Sequence, residues 1–228
     1  MNTCGTAASS SGCASDVGRL MRAGTRKEMV AGPAGKIECA VDSPAAEPRG
    51  VALVAHPHPL YGGTLDNKVV QTLARAFVDL GYAAWRPNFR GVGATEGVHD
   101  EGRGEVDDLE AVLAHLKASK PVLAGFSFGA SVQTRLAQRV SPERMVLVGA
   151  AVKHLEAMPV PADTILIHGA DDTTVPLADV LAWAQPQELA VVVVPGADHF
   201  FHRRLNILRA IIGNSWKPQE GRQGPSPV

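Results

Sequence analysis

Gly125-Phe126-Ser127-Phe128-Gly129 lies between two runs of different periodicity. Upstream, Pro121-Val122-Leu123-Ala124 is short and apolar, as a buried strand is, whereas residues 130–140 downstream read as an amphipathic helix. A serine between a strand and a helix, flanked by glycines, has the context of a nucleophile elbow. The serine there occupies a sharp, strained turn, and glycines flank it because a larger side chain would collide with the neighbouring strand or helix. Its hydroxyl is pushed out at the sheet edge.

A serine hydroxyl is a poor nucleophile at neutral pH until an imidazole can take its proton, and a carboxylate must hold that imidazole in the right tautomer. In this architecture both partners follow the serine, each at the C-terminal end of a later strand. Thr164-Ile165-Leu166-Ile167 reads as such a strand and runs into His168-Gly169-Ala170-Asp171-Asp172-Thr173-Thr174-Val175-Pro176, whose proline suits the first turn of a helix. Leu189 to Val194 reads as a second strand of buried type and leads into Pro195-Gly196-Ala197-Asp198-His199-Phe200. The first loop offers Asp171 and Asp172 as the acid, one of them being free to cap a helix. In the second, His199 directly follows the strand and can reach back to Ser127, whereas His202 falls in the first turn of the last helix and Asp198 reads as a turn residue. His168 is expected to be structural, its ring bonded to backbone at a strand end.

Acyl transfer also needs backbone donors for the developing oxyanion. The N–H of Phe128 is one. The other is expected from the loop after Val51-Ala52-Leu53-Val54-Ala55, namely His56-Pro57-His58-Pro59-Leu60-Tyr61-Gly62-Gly63-Thr64. Pro57 and Pro59 have no N–H, which leaves the backbone of His58 as first choice and Leu60 as the alternative. Tyr61 and Leu60 are candidates for the substrate pocket, with Phe128 beside them, while Phe126 reads as core.

That loop, Asn88-Phe89-Arg90-Gly91-Val92-Gly93 and Gly125-Phe126-Ser127-Phe128-Gly129 resemble the corresponding segments of α/β-hydrolases. More narrowly, the chain is similar to small lidless bacterial serine hydrolases and esterases related to dienelactone hydrolases and to prolyl-oligopeptidase catalytic domains, over about residues 26–213. The resemblance implies an α/β-hydrolase fold, with a mostly parallel central sheet and helices on both faces. It also implies Ser127 as nucleophile, His199 as base and, because His168-Gly169-x-x-Asp172-x-x-Val175-Pro176 resembles the family's acid loop, Asp172 as acid. Dienelactone hydrolases proper carry cysteine at the elbow, so the expectation here is cleavage of carboxylic esters, with short acyl groups, through an acyl-enzyme on Ser127. The rivals are a peptidase or amidase of the same fold, which usually carries a gating domain for which this chain has no room, and a non-enzymatic binding scaffold.

The 228 residues suffice for one domain with a full core and are too few for two of ordinary size. A hydrophobic content of 45% and a charged content of 20% are those of a globular protein, and a net charge of −1 gives no electrostatic reason to expect nucleic acid or an anionic membrane. No apolar run approaches the roughly 18 residues of a membrane span. Residues 1–16 contain no lysine or arginine, and Cys4, Cys13 and Cys39 have no metal-ligand spacing, so a cytoplasmic home without a secretion signal is expected. His56 and His58 lack further ligands nearby, so no metal is expected. Gly91 to Gly97 has Glu96 where the dinucleotide fingerprint wants a small residue, so no cofactor is expected either. The expected partner is a small-molecule ester, and the chain is expected to be a monomer or homodimer.

Residues 1–24 read as a disordered leader, 25–213 as one α/β-hydrolase domain and 214–228 as a flexible tail. Within the domain, Arg26–Ala31 and Lys36–Val41 form an edge hairpin. Asp66 caps a helix over residues 67–80, a strand follows over 82–89, and a helix starts at Gly104 with Val106, Leu109, Leu113 and Leu116 on one face. A strand runs over 144–150, and a last helix over 203–212. Residues 151–163 are too few for a cap domain, which predicts an open, shallow site.

Overall fold

Apolar strands alternating with helices can satisfy all their backbone groups only as a sheet covered on both faces, and this chain does so. The computed structural model describes Met1 and residues 24–216. The expected leader, apart from its two end residues, and residues 217–228 of the expected tail lie outside the described residues. β1 (Arg26–Gly32) and β2 (Gly35–Asp42) make the hairpin, and β2 pairs antiparallel with β4 (Ala83–Pro87). The rest is parallel: β3 (Val51–Ala55), β5 (Val122–Phe126), β6 (Arg144–Val148), β7 (Ile165–Gly169) and β8 (Val191–Val194), in the order β1-β2-β4-β3-β5-β6-β7-β8. After β3 the chain adds β4 on one side and then returns to place β5 on the other. The loops leaving β3 and β5 therefore part at a topological switch point, where open α/β sheets hold their ligands.

α1 (Lys68–Asp79) and α5 (Leu205–Ser215) cover one face, where Val70, Leu73 and Phe77 meet Leu208 and Ile212 over the sheet. The other face carries α2 (Arg103–His115), α3 (Phe128–Leu136) and α4 (Leu177–Ala184). Residues 149–164 between β6 and β7 hold no helix, so nothing is inserted there as a lid. No described helix is long and apolar enough to cross a membrane.

Several local expectations are corrected. α1 is capped by Asn67, not Asp66, because only the Asn67 carboxamide oxygen reaches the N–H groups of Val69 and Val70, at 2.9 and 3.4 Å. Asp66 instead faces Arg86 at 3.7 Å. α3 is not amphipathic: all of it but Arg135 is buried, since it is trapped between the sheet and α2, and Gln133 Nε2 donates to the carbonyls of Leu53 and Ala124, at 3.0 Å each. β8 is the edge strand among the described residues, with Val192 and Val193 left 37% and 38% exposed. α5 continues past residue 212 to Ser215, and Trp216 is buried edge-on against Phe77 and Tyr82 at 5.6 Å from each. Residues 214–216 thus belong to the packed domain rather than to a tail.

Candidate active site

Ser127 sits at φ 56°, ψ −118° between β5 and α3, a left-handed conformation that costs a residue with a side chain about 1–3 kcal/mol and persists only where its surroundings enforce it. Its N–H donates to the Val148 carbonyl at 2.9 Å. A Cβ on Gly125 would strike the backbone of Gly129 and Ala130, and one on Gly129 would strike the carbonyls of Ala55 and His56. The two glycines let the start of α3 lie directly on β5 and on the end of β3.

The structure brings three of the expected side chains together. His199 Nε2 is 3.0 Å from Ser127 Oγ, and His199 Nδ1 is 2.7 Å from Asp172 Oδ2. A carboxylate only accepts, so Nδ1 carries the proton and the Nε2 lone pair faces the serine hydroxyl. The other carboxylate oxygen, Asp172 Oδ1, accepts the N–H groups of Thr174 and Val175 at 2.9 and 2.8 Å. Burial pushes the Asp172 pKa up, but hydrogen bonds from His199 and the Val175 N–H, together with the nearby imidazoles of His199 and His168, outweigh it and hold the carboxyl below the usual range. Asp171 is exposed and outside this group. His202 turns away to pair with Asp198 at 2.6 Å on the surface. His168 is buried at the end of β7, where Nε2–H donates to the Val175 carbonyl at 2.9 Å and stands 3.4 Å from Asp172 Oδ2, bracing the acid loop.

The loop after β3 turns tightly through residues 59–61. His58 Nδ1 accepts the Leu60 N–H at 3.2 Å, which engages the rival donor. The N–H of His58 has no acceptor among the described residues, and that of Phe128 opens α3, where a helix supplies none. His56 is fully buried and ties the loop down: Nε2 accepts the Phe89 N–H at 2.9 Å, so Nδ1–H donates to the Pro57 carbonyl at 2.6 Å. Burial lowers its pKa to about 4, which keeps the ring neutral in this role.

Leu60 and Tyr61 are 70% and 81% exposed and form a rim rather than a wall. A depression of 220 Å³ lies instead between the loop after β6 and the acid loop, lined by Ala151, Val152, His154, Thr174, Val175 and Pro176 among others. Phe126 is fully buried beneath the His199 ring, 4.8 Å away. Sequence reasoning missed a second group. The His58 ring lies 4.7 Å from Phe128, 4.9 Å from His99 and 6.3 Å from His154, and His99 Nδ1 is 2.7 Å from the buried Glu105. The sole signal for it was Glu105, an acid on the face of a helix start that otherwise turns inward. Among the described residues no group of three or more His, Cys, Asp or Glu is arranged to hold a metal ion.

Comparison with known proteins identifies the family. Residues 46–183 match the family model Hydrolase_4, described as serine aminopeptidase, S33. An α/β serine hydrolase homologue from Coxiella burnetii is 36% identical, with 84% of this chain and 97% of that one covered and a TM-score of 0.77. A lidless α/β serine hydrolase from Xanthomonas campestris is 34% identical, with 86% and 95% covered and a TM-score of 0.78. A protein of Rickettsia prowazekii described as uncharacterized is 35% identical over 191 residues, 75% of this chain and 79% of its own length. The chain therefore belongs to the Hydrolase_4 family and is a serine hydrolase of the α/β-hydrolase superfamily.

Proposed function

We propose that the protein cleaves carboxylic esters of short acyl chains through an acyl-enzyme on Ser127. The observation that carries this reading is His199 bridging Ser127 Oγ and Asp172 Oδ2, at 3.0 and 2.7 Å. His199 Nε2 takes the hydroxyl proton as Oγ attacks the ester carbonyl, and the N–H groups of Phe128 and His58 bind the oxyanion. The imidazolium, stabilised by Asp172, returns the proton to the departing alkoxide as the acyl–oxygen bond breaks. Water then repeats the sequence, releasing the acid and restoring Ser127. Leu60 and Tyr61 line the entrance.

The test is a panel of p-nitrophenyl esters of graded length run beside aminoacyl anilides, with a fluorophosphonate probe of Ser127. Acyl chains of about two to six carbons are expected to react best, since an open rim offers little apolar contact to reward each further methylene at about 0.8 kcal/mol. Cleavage of anilides in preference to esters would turn the reading to a peptidase. A chain that neither hydrolyses nor takes the probe would be a scaffold. On the preferred ester, kcat/KM should rise once with pH, the profile of a single general base. Asp172, its carboxyl held low, stays ionised throughout that rise. A second rising limb in mildly acid solution would contradict this.

His56 supplies a further prediction. The Pro57 carbonyl and the His58 N–H belong to one trans peptide and point in opposite directions, so the bond from His56 Nδ1–H also aims the proposed oxyanion donor. His56→Phe should lower kcat by about ten- to a hundredfold with little change in KM, less than the roughly 3 kcal/mol lost when such a donor is deleted outright. His56→Asn, whose amide can still donate to Pro57, should recover part of the loss. Equal losses in both variants, or an effect confined to KM, would refute the role.

A further inference from the structure

The Asp172–His199 pair has a counterpart in a His–Glu pair whose imidazole lies against Phe128. His99 Nδ1 is 2.7 Å from Glu105 Oε1, the separation found between His199 Nδ1 and Asp172 Oδ2. Both carboxylate side chains are fully buried. Each also accepts two backbone N–H groups, Glu105 from Asp100 and Gly102 at 2.9 and 2.8 Å, and Asp172 from Thr174 and Val175 at the same distances. Ester cleavage as derived above uses only one of these pairs.

The hydrogen-bond partners dictate both tautomers. Glu105 can only accept, so His99 carries its proton on Nδ1 and exposes a lone pair on Nε2. The Leu60 N–H can only donate, so His58 accepts on Nδ1 and carries its proton on Nε2. Burial and the neighbouring imidazoles of His99 and His154 push the His58 pKa down, which keeps that ring neutral with a single N–H to offer. The two rings are 4.9 Å apart and lean over Phe128 at 4.7 and 5.5 Å. Neither Nε2 has a protein partner among the described residues, and neither is among the buried unpartnered atoms. Two rings 4.9 Å apart thus offer a donor and an acceptor that no described protein group takes up, next to the residue that follows Ser127.

We propose that His58 and His99 form a hydroxyl-recognition subsite, so that the preferred ester carries a free hydroxyl in its acyl or alcohol part. The inference rests on the reading of Ser127 as the nucleophile. His58 Nε2–H donates to the hydroxyl oxygen, and the hydroxyl donates to His99 Nε2. A carboxylate, an ether, a ketone or an ammonium satisfies only half of this pair. A carboxylate has no proton for His99 and would lie near the buried Glu105 charge; an ether or ketone cannot donate; an ammonium cannot accept from His58. Glu105 is the positioning residue, because it sets which His99 nitrogen bears the proton.

The test compares matched esters in two arms. The acyl arm uses p-nitrophenyl butyrate, its 2-, 3- and 4-hydroxy derivatives and the corresponding methoxy compounds. The alcohol arm uses ethyl, 2-hydroxyethyl and 2-methoxyethyl butyrate. In one arm kcat/KM for a hydroxyl ester should exceed that of both its parent and its methoxy analogue by about tenfold, the scale of one or two net hydrogen bonds. His99→Phe should bring that ratio to within about twofold of unity, while a thermal melt reports that the fold is kept. Glu105→Gln keeps an amide oxygen at the Oε1 position for the Asp100 N–H and His99 Nδ1–H, so it should retain the hydroxyl preference, whereas Glu105→Leu removes the acceptor that holds the proton on Nδ1 and should weaken that preference severalfold. If the leucine variant does not fold, His99→Phe decides alone. Absence of a hydroxyl preference in both arms, or a preference that survives His99→Phe, overturns the subsite. Failure of the native protein to hydrolyse any ester or to take a fluorophosphonate overturns the parent reading instead.

Discussion

Ser127→Ala should abolish ester hydrolysis, by at least about a thousandfold, and leave the fold intact. The hydroxyl makes one side-chain hydrogen bond, to His199 Nε2 at 3.0 Å, and His199 stays anchored by Asp172 when it is gone. The strained backbone at φ 56° is held by Gly125, Gly129 and the Val148 carbonyl, none of which depends on the hydroxyl, so alanine is no worse there than serine. Turnover of an activated ester and the thermal melt of the same preparation check both halves. Near-normal turnover in the alanine variant would mean that another group attacks the ester.

Asp172→Asn should lower kcat by a factor on the order of a thousand or more, while Asp171→Asn changes it by no more than about twofold. An asparagine keeps the oxygen that accepts the Thr174 and Val175 N–H groups, so the loop should hold its shape. Its amide N–H then faces His199 Nδ1 and drives the imidazole proton to Nε2, where it confronts the serine hydroxyl instead of accepting from it. Asp171 is exposed and takes no part in the hydrogen bonds of His199 or His168. Steady-state kinetics on the two variants, with melts to show that both are folded, decide between them. The reverse ranking would move the acid to Asp171.

The meeting of Ser127, Asp172 and His199 was legible because each follows an apolar strand, and parallel strands end on one edge of the sheet. Knowing that β5, β7 and β8 are parallel places the three loops at a common edge before any distance is measured. Gly125 and Gly129 were legible for a related reason: their lack of a side chain reports a backbone approach that is local to the strand–turn–helix unit. The choice between Asp171 and Asp172 needed the resemblance to a family as well. Adjacent residues point in different directions, and the sequence does not say which one faces inward.

Other features are decided by what packs against an element, which its own residues do not encode. α3 carries Gln133 and Thr134 as an amphipathic helix would, yet α2 covers its outer side and both are buried. β8 is as apolar as β5, yet among the described residues it lies at the edge of the sheet. Trp216 looked like part of a tail until α5 was seen to continue and bring it onto Phe77 and Tyr82. His58, His99, His154 and Glu105 come from three separate loops and a helix start, with no shared motif or spacing. They meet only because the sheet reverses its order between β3 and β5 and leaves the loops around that crevice facing one another. Local sequence thus determined the elbow, the strand ends and the chemistry they carry, through steric and hydrogen-bond rules that act over a few residues. Tertiary structure decided which side chains surround that chemistry, because burial and tautomer depend on neighbours distant in the chain.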